Sequence, residues 1–452
     1  MSVDLYTLFC STVIFPLHEA LKKHSTVREL RALEESQWLT ADEIRELQLK
    51  RLKDFLSDVR IHVPYYRRLF AKLNINPGAI ENLEQFAQLS LLAKSDIREN
   101  LQDLAADNAV DLARFNTGGS SGEPLIFFIG KKRVSHDVAA KWRATRWWGV
   151  DIGDPEAVIW GSPIELGSQD KIRLLRDKLL RTHLIPAFEM SPEKLNGFIE
   201  QIQRIKPKML FGYPSALAHI ASHAEKKAIA LNNLGIKVAF VTSERLYDYQ
   251  RQKIESIFGC PVANGYGGRD AGFIAHQCPH GGMHITAEDI IVEIVDQHGQ
   301  VLPIGQLGEI VVTHLATRDF PFIRYRTGDM GILSDKQCAC GRGLPLLEEI
   351  QGRSTDFVVA QDGTVLHGLA LIYVLRDIAG VDAFKITQDS LDQTTVQIVS
   401  AGAYDQHAAE QRIVGEFKKR LGAKVDVLIH YTNVIAKEKS GKFRYVISHV
   451  KP

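Results

Sequence analysis

Val238-Ala239-Phe240-Val241-Thr242-Ser243-Glu244 is a short apolar run that ends in small and acidic residues. Three other runs share its form: Ala157-Val158-Ile159-Trp160-Gly161-Ser162, Met209-Leu210-Phe211-Gly212-Tyr213-Pro214-Ser215 and Val262-Ala263-Asn264-Gly265-Tyr266-Gly267. Between them lie helix-length segments of mixed polarity, such as Glu193 to Ile205 and Tyr247 to Phe258. That alternation predicts βα units around a parallel sheet. Ligands of such sheets sit at the carboxyl ends of the strands, where Tyr213, Ser243, Glu244 and Tyr266 fall. The same residue types also make ordinary strand-end turns.

Upstream stands Phe115-Asn116-Thr117-Gly118-Gly119-Ser120-Ser121-Gly122-Glu123-Pro124, followed by the apolar run Leu125 to Ile129. Glycines let backbone N–H groups converge on one point, and hydroxyls add donors that reorient. Together they make an anion cradle suited to phosphate oxygens. There is no Walker lysine, and a strand rather than a helix is predicted to follow. A bare Gly/Ser run is also the composition of a flexible turn.

Residues 1 to about 110 read as mostly helical. Thr40-Ala41-Asp42-Glu43 is an N-cap with an acidic first turn, and Leu47, Leu49, Leu52 and Leu56 follow near helical spacing. Val63-Pro64 ends that helix, and Lys94-Ser95-Asp96-Ile97 opens a short one. Leu5 to Leu17 is apolar but too short to span a bilayer. It lacks the basic flank of a signal peptide and reads as a buried or interfacial helix. Trp142, Trp147 and Trp148 read as packing against the sheet rather than as a substrate wall.

Beyond Asp289 the pattern turns β-rich, with strands predicted at Ile290–Val295 and Glu309–Thr313. The last hundred residues alternate strand and helix (Thr395–Val399, Asp405–Arg420, Val425–Ile429), the pattern of a small α+β domain. The predicted organisation is therefore an α/β protein. A large N-terminal domain at 1–351, with parallel-rich sheets, precedes a small α+β domain at 352–452.

A net charge of +1 provides no global field for nucleic acid or an anionic membrane. Five cysteines do not form a dense disulfide framework. Free thiols or a metal in a reducing cytoplasm fit them better. Cys278, Cys338 and Cys340, with His280 or His284, make a four-ligand set suited to structural Zn²⁺. His284 is preferred because a β segment begins at Ile285 and would fix its ring. Two unrelated reduced-thiol loops are the alternative.

Five motifs then stand in order: Thr117 to Pro124, Tyr266-Gly267-Gly268-Arg269-Asp270, Tyr325-Arg326-Thr327-Gly328-Asp329, Gly352-Arg353 and Ser440-Gly441-Lys442. In that order the chain resembles the adenylate-forming enzymes, which include acyl-CoA synthetases, nonribosomal peptide synthetase adenylation domains and luciferases. Within them it is most similar to phenylacetate-CoA ligases and the related capsular-polysaccharide (CapK-like) proteins.

The resemblance implies that ATP and a carboxylic acid form acyl-AMP, and that the acyl group then passes to coenzyme A. It implies that Thr117, Gly118, Gly119, Ser120, Ser121 and Gly122 hold the phosphates and that Tyr266 and Gly267, framed by Ser243-Glu244, lie at adenine. Asp329 would accept from the ribose hydroxyls, with Arg269 and Arg353 near the nucleotide. Lys442 and Asp270 would be catalytic, Asp270 through Mg²⁺. The family usually has glutamate where this chain has Asp270, one methylene shorter. It further implies a mobile C-terminal domain, swinging about residues near Thr355 between the two half-reactions. Two other functions stay open. One is an adenylating enzyme whose acceptor is a carrier protein, a sugar or an amine. The other is a non-catalytic, nucleotide-binding zinc protein. A homodimer is compatible with all three.

Overall fold

The computed structural model describes residues 4–117, 125–160, 171–187, 190, 192–351, 357–400, 405–435 and 446–450. Two compact units divide the chain: residues 1–116 with 125–352, and residues 117–124 with 353–452.

The larger unit opens with helices. Leu5–Phe9 (α1) and Phe15–Leu21 (α2) are joined by a π-helical turn at Cys10–Ile14. Thr26–Ser36 (α3), Ala41–His62 (α4), Pro64–Lys72 (α5), Leu83–Phe86 (α6) and Lys94–Glu99 (α7) follow. The expected cap of α4 is a full capping box: Thr40 Oγ1 accepts from the Glu43 amide, and Glu43 accepts from the Thr40 amide at 2.8 Å. Pro64 takes the first position of α5, where its missing N–H costs nothing. The strands Ala113–Asn116 (β1) and Ile126–Ile129 (β2) pair as an antiparallel ribbon, and Lys131–Arg146 (α8) leaves β2.

One mixed sheet of eleven strands forms the body of this unit. Its parallel part comprises Glu156–Trp160 (β3), Thr182–Pro186 (β4), Met209–Gly212 (β5), Val238–Thr242 (β6) and Val262–Gly268 (β7), in the order β4-β3-β5-β6-β7. The helices Lys171–Leu179 (α9), Pro192–Ile205 (α10), Pro214–Lys226 (α11) and Asp248–Phe258 (α12) connect these strands. β5 and β6 are buried along their whole length, because helices cover both faces of such a strand.

At β7 the sheet changes sense. Gly272–Gln277 (β8) pairs antiparallel to β7, and Met283–Ile285 (β9) to β8. The sheet then runs through Leu346–Gln351 (β13), Tyr325–Ser334 (β12), Gly308–His314 (β11) and Ile290–Val295 (β10), all antiparallel. The parallel sheet expected from the four runs is thus the first half of a larger mixed one. The main core lies between this second half and helices α4 to α7.

In the smaller unit, Phe357–Val359 (β14) and Val365–His367 (β15) pair. Val381–Gln388 (β16), Gln393–Ser400 (β17), Asp426–Tyr431 (β18) and Val446–Ser448 (β19) form a four-stranded sheet in the order β18-β17-β16-β19. Leu369–Arg376 (α13) and Gln406–Leu421 (α14) pack on it through Leu371, Leu375, Ile413 and Phe417. No helix among the described residues is long and apolar enough to cross a membrane.

Candidate functional site

The carboxyl ends of β5, β6 and β7 bring the expected residues together. Tyr213 follows β5 and caps α11. Its ring lies 4.5 Å from that of Trp160 at the end of β3. Ser243 follows β6 with a left-handed φ of 71°, a conformation a serine holds only where its surroundings impose it. Glu244 accepts from the Ser215 amide at 3.2 Å, which ties the ends of β5 and β6 together.

The hairpin β7–β8 carries Tyr266 to Asp270. Its register shifts between Tyr266 and Gly267, a bulge of the kind that re-aims side chains. A Cβ on Gly267 would run into the Gly272 carbonyl oxygen across the hairpin. Gly267→Ala is therefore expected to break this register. In thermal melts it should destabilise the protein by several °C, since about 1 kcal/mol moves a domain of this size by ~2–4 °C. An unchanged melting temperature would show that the close approach is not obligatory.

β12 supplies the partners. Tyr266 Oη donates to Asp329 Oδ2 at 3.0 Å, joining two motifs 63 residues apart. The Asp329 amide donates to Thr327 Oγ1 at 3.1 Å, and Thr327 Oγ1 donates to the Ile310 carbonyl. Tyr325 Oη donates to Asp270 Oδ2 at 2.7 Å, and Asp270 Oδ1 accepts from the Ala271 amide. Both carboxylates are thus aimed by tyrosines that bridge the β7–β8 hairpin and β12, which are not adjacent in the sheet. An ionised carboxylate is acceptor-only, and a hard oxygen donor of this kind suits Mg²⁺. Arg326 does not pair with Asp329. Its Nε donates to Glu309 at 2.9 Å, while Arg324 is buried on Glu293. Thr117 is half-buried at the end of β1. Gly118, Gly119, Ser120, Ser121, Gly122, Arg353 and Lys442 lie outside the described residues.

Beneath the hairpin sits a buried ionic network that the sequence reading missed. Arg133 on α8 donates through Nε to both Asp137 oxygens and through Nη2 to the Arg269 carbonyl at 3.4 Å. His136 Nε2 lies 3.4 Å from Asp289 and His314 Nε2 lies 3.6 Å from Asp137. Burial opposes a charge on His136, but the carboxylates of Asp137 and Asp289 prevail and hold it up at about 9. Burial, then the nearby Arg133 charge, lowers His314 to about 3. The Ala316 amide donates to His314 Nδ1, which leaves the proton on Nε2, facing Asp137. At 3.6 Å that contact is longer than a hydrogen bond, so His314 Nε2 faces Asp137 without bonding it, and the ligand atoms of His136, Asp137 and His314 lie within 4.8 Å of one another. A helical Arg-x-x-His-Asp pattern was the network's only sequence signal.

The cysteines form a second constellation. Cys278 follows β8, His284 lies in β9, and Cys338 and Cys340 stand between β12 and β13. The ligand atoms of these four residues lie within 4.8 Å of one another. Cys278 Sγ is 3.6 Å from Cys338 Sγ, and Cys340 Sγ is 3.2 Å from His284 Nε2. His284 Nδ1 lies 3.4 Å from the Leu344 carbonyl, the outer contact that leaves Nε2 to face a metal. A Cβ on Gly282 would stand 2.7 Å from Cys338 Sγ and 3.2 Å from His284 Nε2. The cradle is shaped for something smaller than a side chain, and its three thiols and one imidazole fit Zn²⁺. His280 is exposed and stands outside the cluster. All five cysteines are free. The tryptophans pack as expected: Trp142 is buried, Trp147 Nε1 donates to Gln37, and Trp148 Nε1 donates to the Gln277 carbonyl.

Residues 180–316 match the family model of AMP-binding enzymes, and residues 358–449 match that of the CapK C-terminal domain. The chain is 24% identical to Protein CapK of Staphylococcus aureus over 413 residues, 91% of this chain and 90% of that protein. It is 28% identical to the phenylacetate-coenzyme A ligase of Aromatoleum evansii over 334 residues, covering 72% of this chain and 74% of the relative. A crystal structure of 2-hydroxyisobutyryl-CoA ligase, in complex with 2-HIB-AMP and CoA, shares the fold. Its TM-score is 0.67 at 24% identity, over 91% of this chain and 90% of that one. The five ordered motifs, the mixed sheet that gathers Ser243, Tyr266, Asp270 and Asp329, and these likenesses agree: the chain belongs to the adenylate-forming superfamily, in its phenylacetate-CoA ligase-like and CapK-like family.

Proposed function

We propose that this protein is an AMP-forming acid–thiol ligase. A carboxylate oxygen attacks the α-phosphorus of ATP, the bond to pyrophosphate breaks, and acyl-AMP remains. The thiol of coenzyme A, losing its proton, then attacks the acyl carbonyl, and AMP leaves. The observation that carries this reading is the Tyr266–Asp329 hydrogen bond. It sets an acceptor-only carboxylate suited to a vicinal diol beside an aromatic ring suited to a base, both at the ligand end of the sheet. Catalysis of phosphoryl transfer of this kind is mostly positioning and charge neutralisation. Thr117 and the Gly/Ser loop would hold the phosphates, Asp270 would hold Mg²⁺ against them, and Lys442 would add a point charge at the reacting centre. Ser243, Glu244, Gly267, Arg269 and Arg353 would line the nucleotide. Cys278, His284, Cys338 and Cys340 would hold a structural Zn²⁺.

The likeness of residues 358–449 to the CapK C-terminal domain favours a second reading of the final step. In it the acyl group passes to a carrier protein, a sugar or an amine.

ATP–pyrophosphate exchange over a panel of carboxylic acids tests the first half-reaction. At least one acid should support exchange, and Asp329→Ala should lower it on the order of a hundredfold, as for loss of a charged hydrogen-bond partner. ATP binding without exchange on any acid would leave a nucleotide-binding protein and end the catalytic reading. Product analysis with coenzyme A separates the two acceptors.

A further inference from the structure

The helical segment that opens the larger unit buries Cys10 and Phe15 but leaves its leucines outward. From Leu5 to Leu21 the only titratable side chains besides Tyr6 and Cys10 are His18 and Glu19. Glu19 points inward, 4% exposed, held by His18, His24 and Thr26. Thr7 and Cys10 also face inward. The outward face carries Leu5, Leu8, Phe9, Val13, Leu17 and Leu21, which are 47% to 80% exposed. These positions follow a three-to-four-residue spacing, and the π-helical turn keeps them in line. The stripe runs ~25 Å at the usual rise per residue.

α9 extends the patch. The Leu179 carbonyl accepts from Tyr6 Oη at 2.8 Å, and Arg181 bonds Asp4 at 2.7 Å. Leu174, Leu175 and Leu179 are 39% to 59% exposed. Together the helices put nine apolar side chains, each 39% to 80% exposed, on one surface, where isolated exposed hydrophobics would need no explanation. The charges around it are mostly basic. Among the described side chains, α9 carries Lys178 and Arg176, the latter paired with Asp177, and Lys22 and Lys23 close the end of α2.

We propose that this face docks on an anionic lipid surface, with α1, α2 and α9 lying in the interface plane. An apolar helix face rimmed by lysine and arginine is what such a surface takes up: leucines and phenylalanine enter the headgroup boundary while the bases meet phosphates. The charge also argues against a second copy as the occupant. An isologous dimer sets a patch against itself, which would bring two basic α9 helices together. The docking is independent of the acyl chemistry. It would hold the protein beside a membrane without any spanning helix.

Flotation of the full chain with vesicles tests it, using phosphatidylcholine alone and phosphatidylcholine with phosphatidylglycerol. Binding should favour the anionic vesicles and weaken with salt. Replacing Lys22 and Lys23 with alanine should cost about fivefold each at low salt. Phe9→Glu with Leu17→Glu should cost at least on the order of a hundredfold. Both positions are half exposed or more, so melting of the double variant should match the wild type. Failure to float with anionic vesicles overturns the proposal. So does a wild-type dimer, by sedimentation velocity, that the same double variant makes monomeric while vesicle binding stays unchanged.

Discussion

Lys442→Ala is expected to abolish acyl-AMP formation while sparing transfer from acyl-AMP supplied ready-made. In the first half-reaction negative charge builds on a phosphorus flanked by a carboxylate and a triphosphate. A single ammonium aimed at that charge is worth about 10²–10³ in rate, by analogy with other electrostatic stabilisers. In the second half-reaction AMP departs as a stable anion, and the same charge has little left to do. A lysine suits a group needed for one step only, being a point charge on a flexible stem. If the C-terminal unit swings between the steps, Thr355→Pro should do the reverse, because a fixed φ resists the swing. It should leave pyrophosphate exchange near wild type and slow acyl transfer. The two half-reactions are to be assayed separately, exchange for the first and thioester release from synthetic acyl-AMP for the second. Equal losses in both steps from Lys442→Ala would refute the division of labour.

Purified protein is expected to contain about one zinc per chain, as a closed four-ligand structural site requires, and Cys338→Ser to lose it. The four ligands join β8, β9 and the segment between β12 and β13. Besides the ion, β8 joins β9 through three residue pairs, and β9 joins β13 through two, Leu346 with His284 and Leu347 with Met283. Structural zinc contributes ~10–16 kcal/mol in isolated zinc-finger peptides. Only part of that can appear as global stability here, since the sheet has its own core. A fall in melting temperature of ~10 °C or more is the expected scale, at a few °C per kcal/mol. Serine keeps the volume and removes the soft donor, so the effect reports the metal rather than a cavity. Zinc-free protein whose melting is untouched by Cys338→Ser would dismiss the site.

The central strands were legible because burial on both faces makes their residues apolar without a break. β5 and β6 begin at the first residue of their apolar runs and stop just before the small, polar or acidic residues that follow. β4 escaped because Thr182–Pro186 is an edge strand, only partly buried and correspondingly mixed in composition. The change from parallel to antiparallel at β7 left no mark on composition, since it depends on which strand a neighbour finds. Gly267 could be read as a motif glycine, but its reason lies across the hairpin, in the carbonyl of Gly272.

The site divides in the same way. The family resemblance, carried by ordered local motifs, named Tyr266, Asp270 and Asp329. It did not say that Tyr266 bonds Asp329 or that Tyr325 bonds Asp270, since those contacts are made by strands that meet only in the folded sheet. The preference for His284 over His280 came from the β segment expected at Ile285; in the structure β9 turns that ring toward the thiols and leaves His280 in solvent. Beyond the helical Arg-x-x-His-Asp pattern, Arg133, His136 and Asp289 carried no sequence signal, because charged residues are read as surface. Here they are buried because each neutralises another.

What the sequence by itself determined was every feature encoded within a few residues: apolar runs, caps, the order of the motifs and the ligand types. The tertiary structure alone decided what faces what. The helix from Leu5 to Leu21 shows why. Periodicity places its leucines on one side, but it cannot say which side meets the protein. Glu19 lies inside because His18, His24 and Thr26 surround it there, and the leucines are left facing outward.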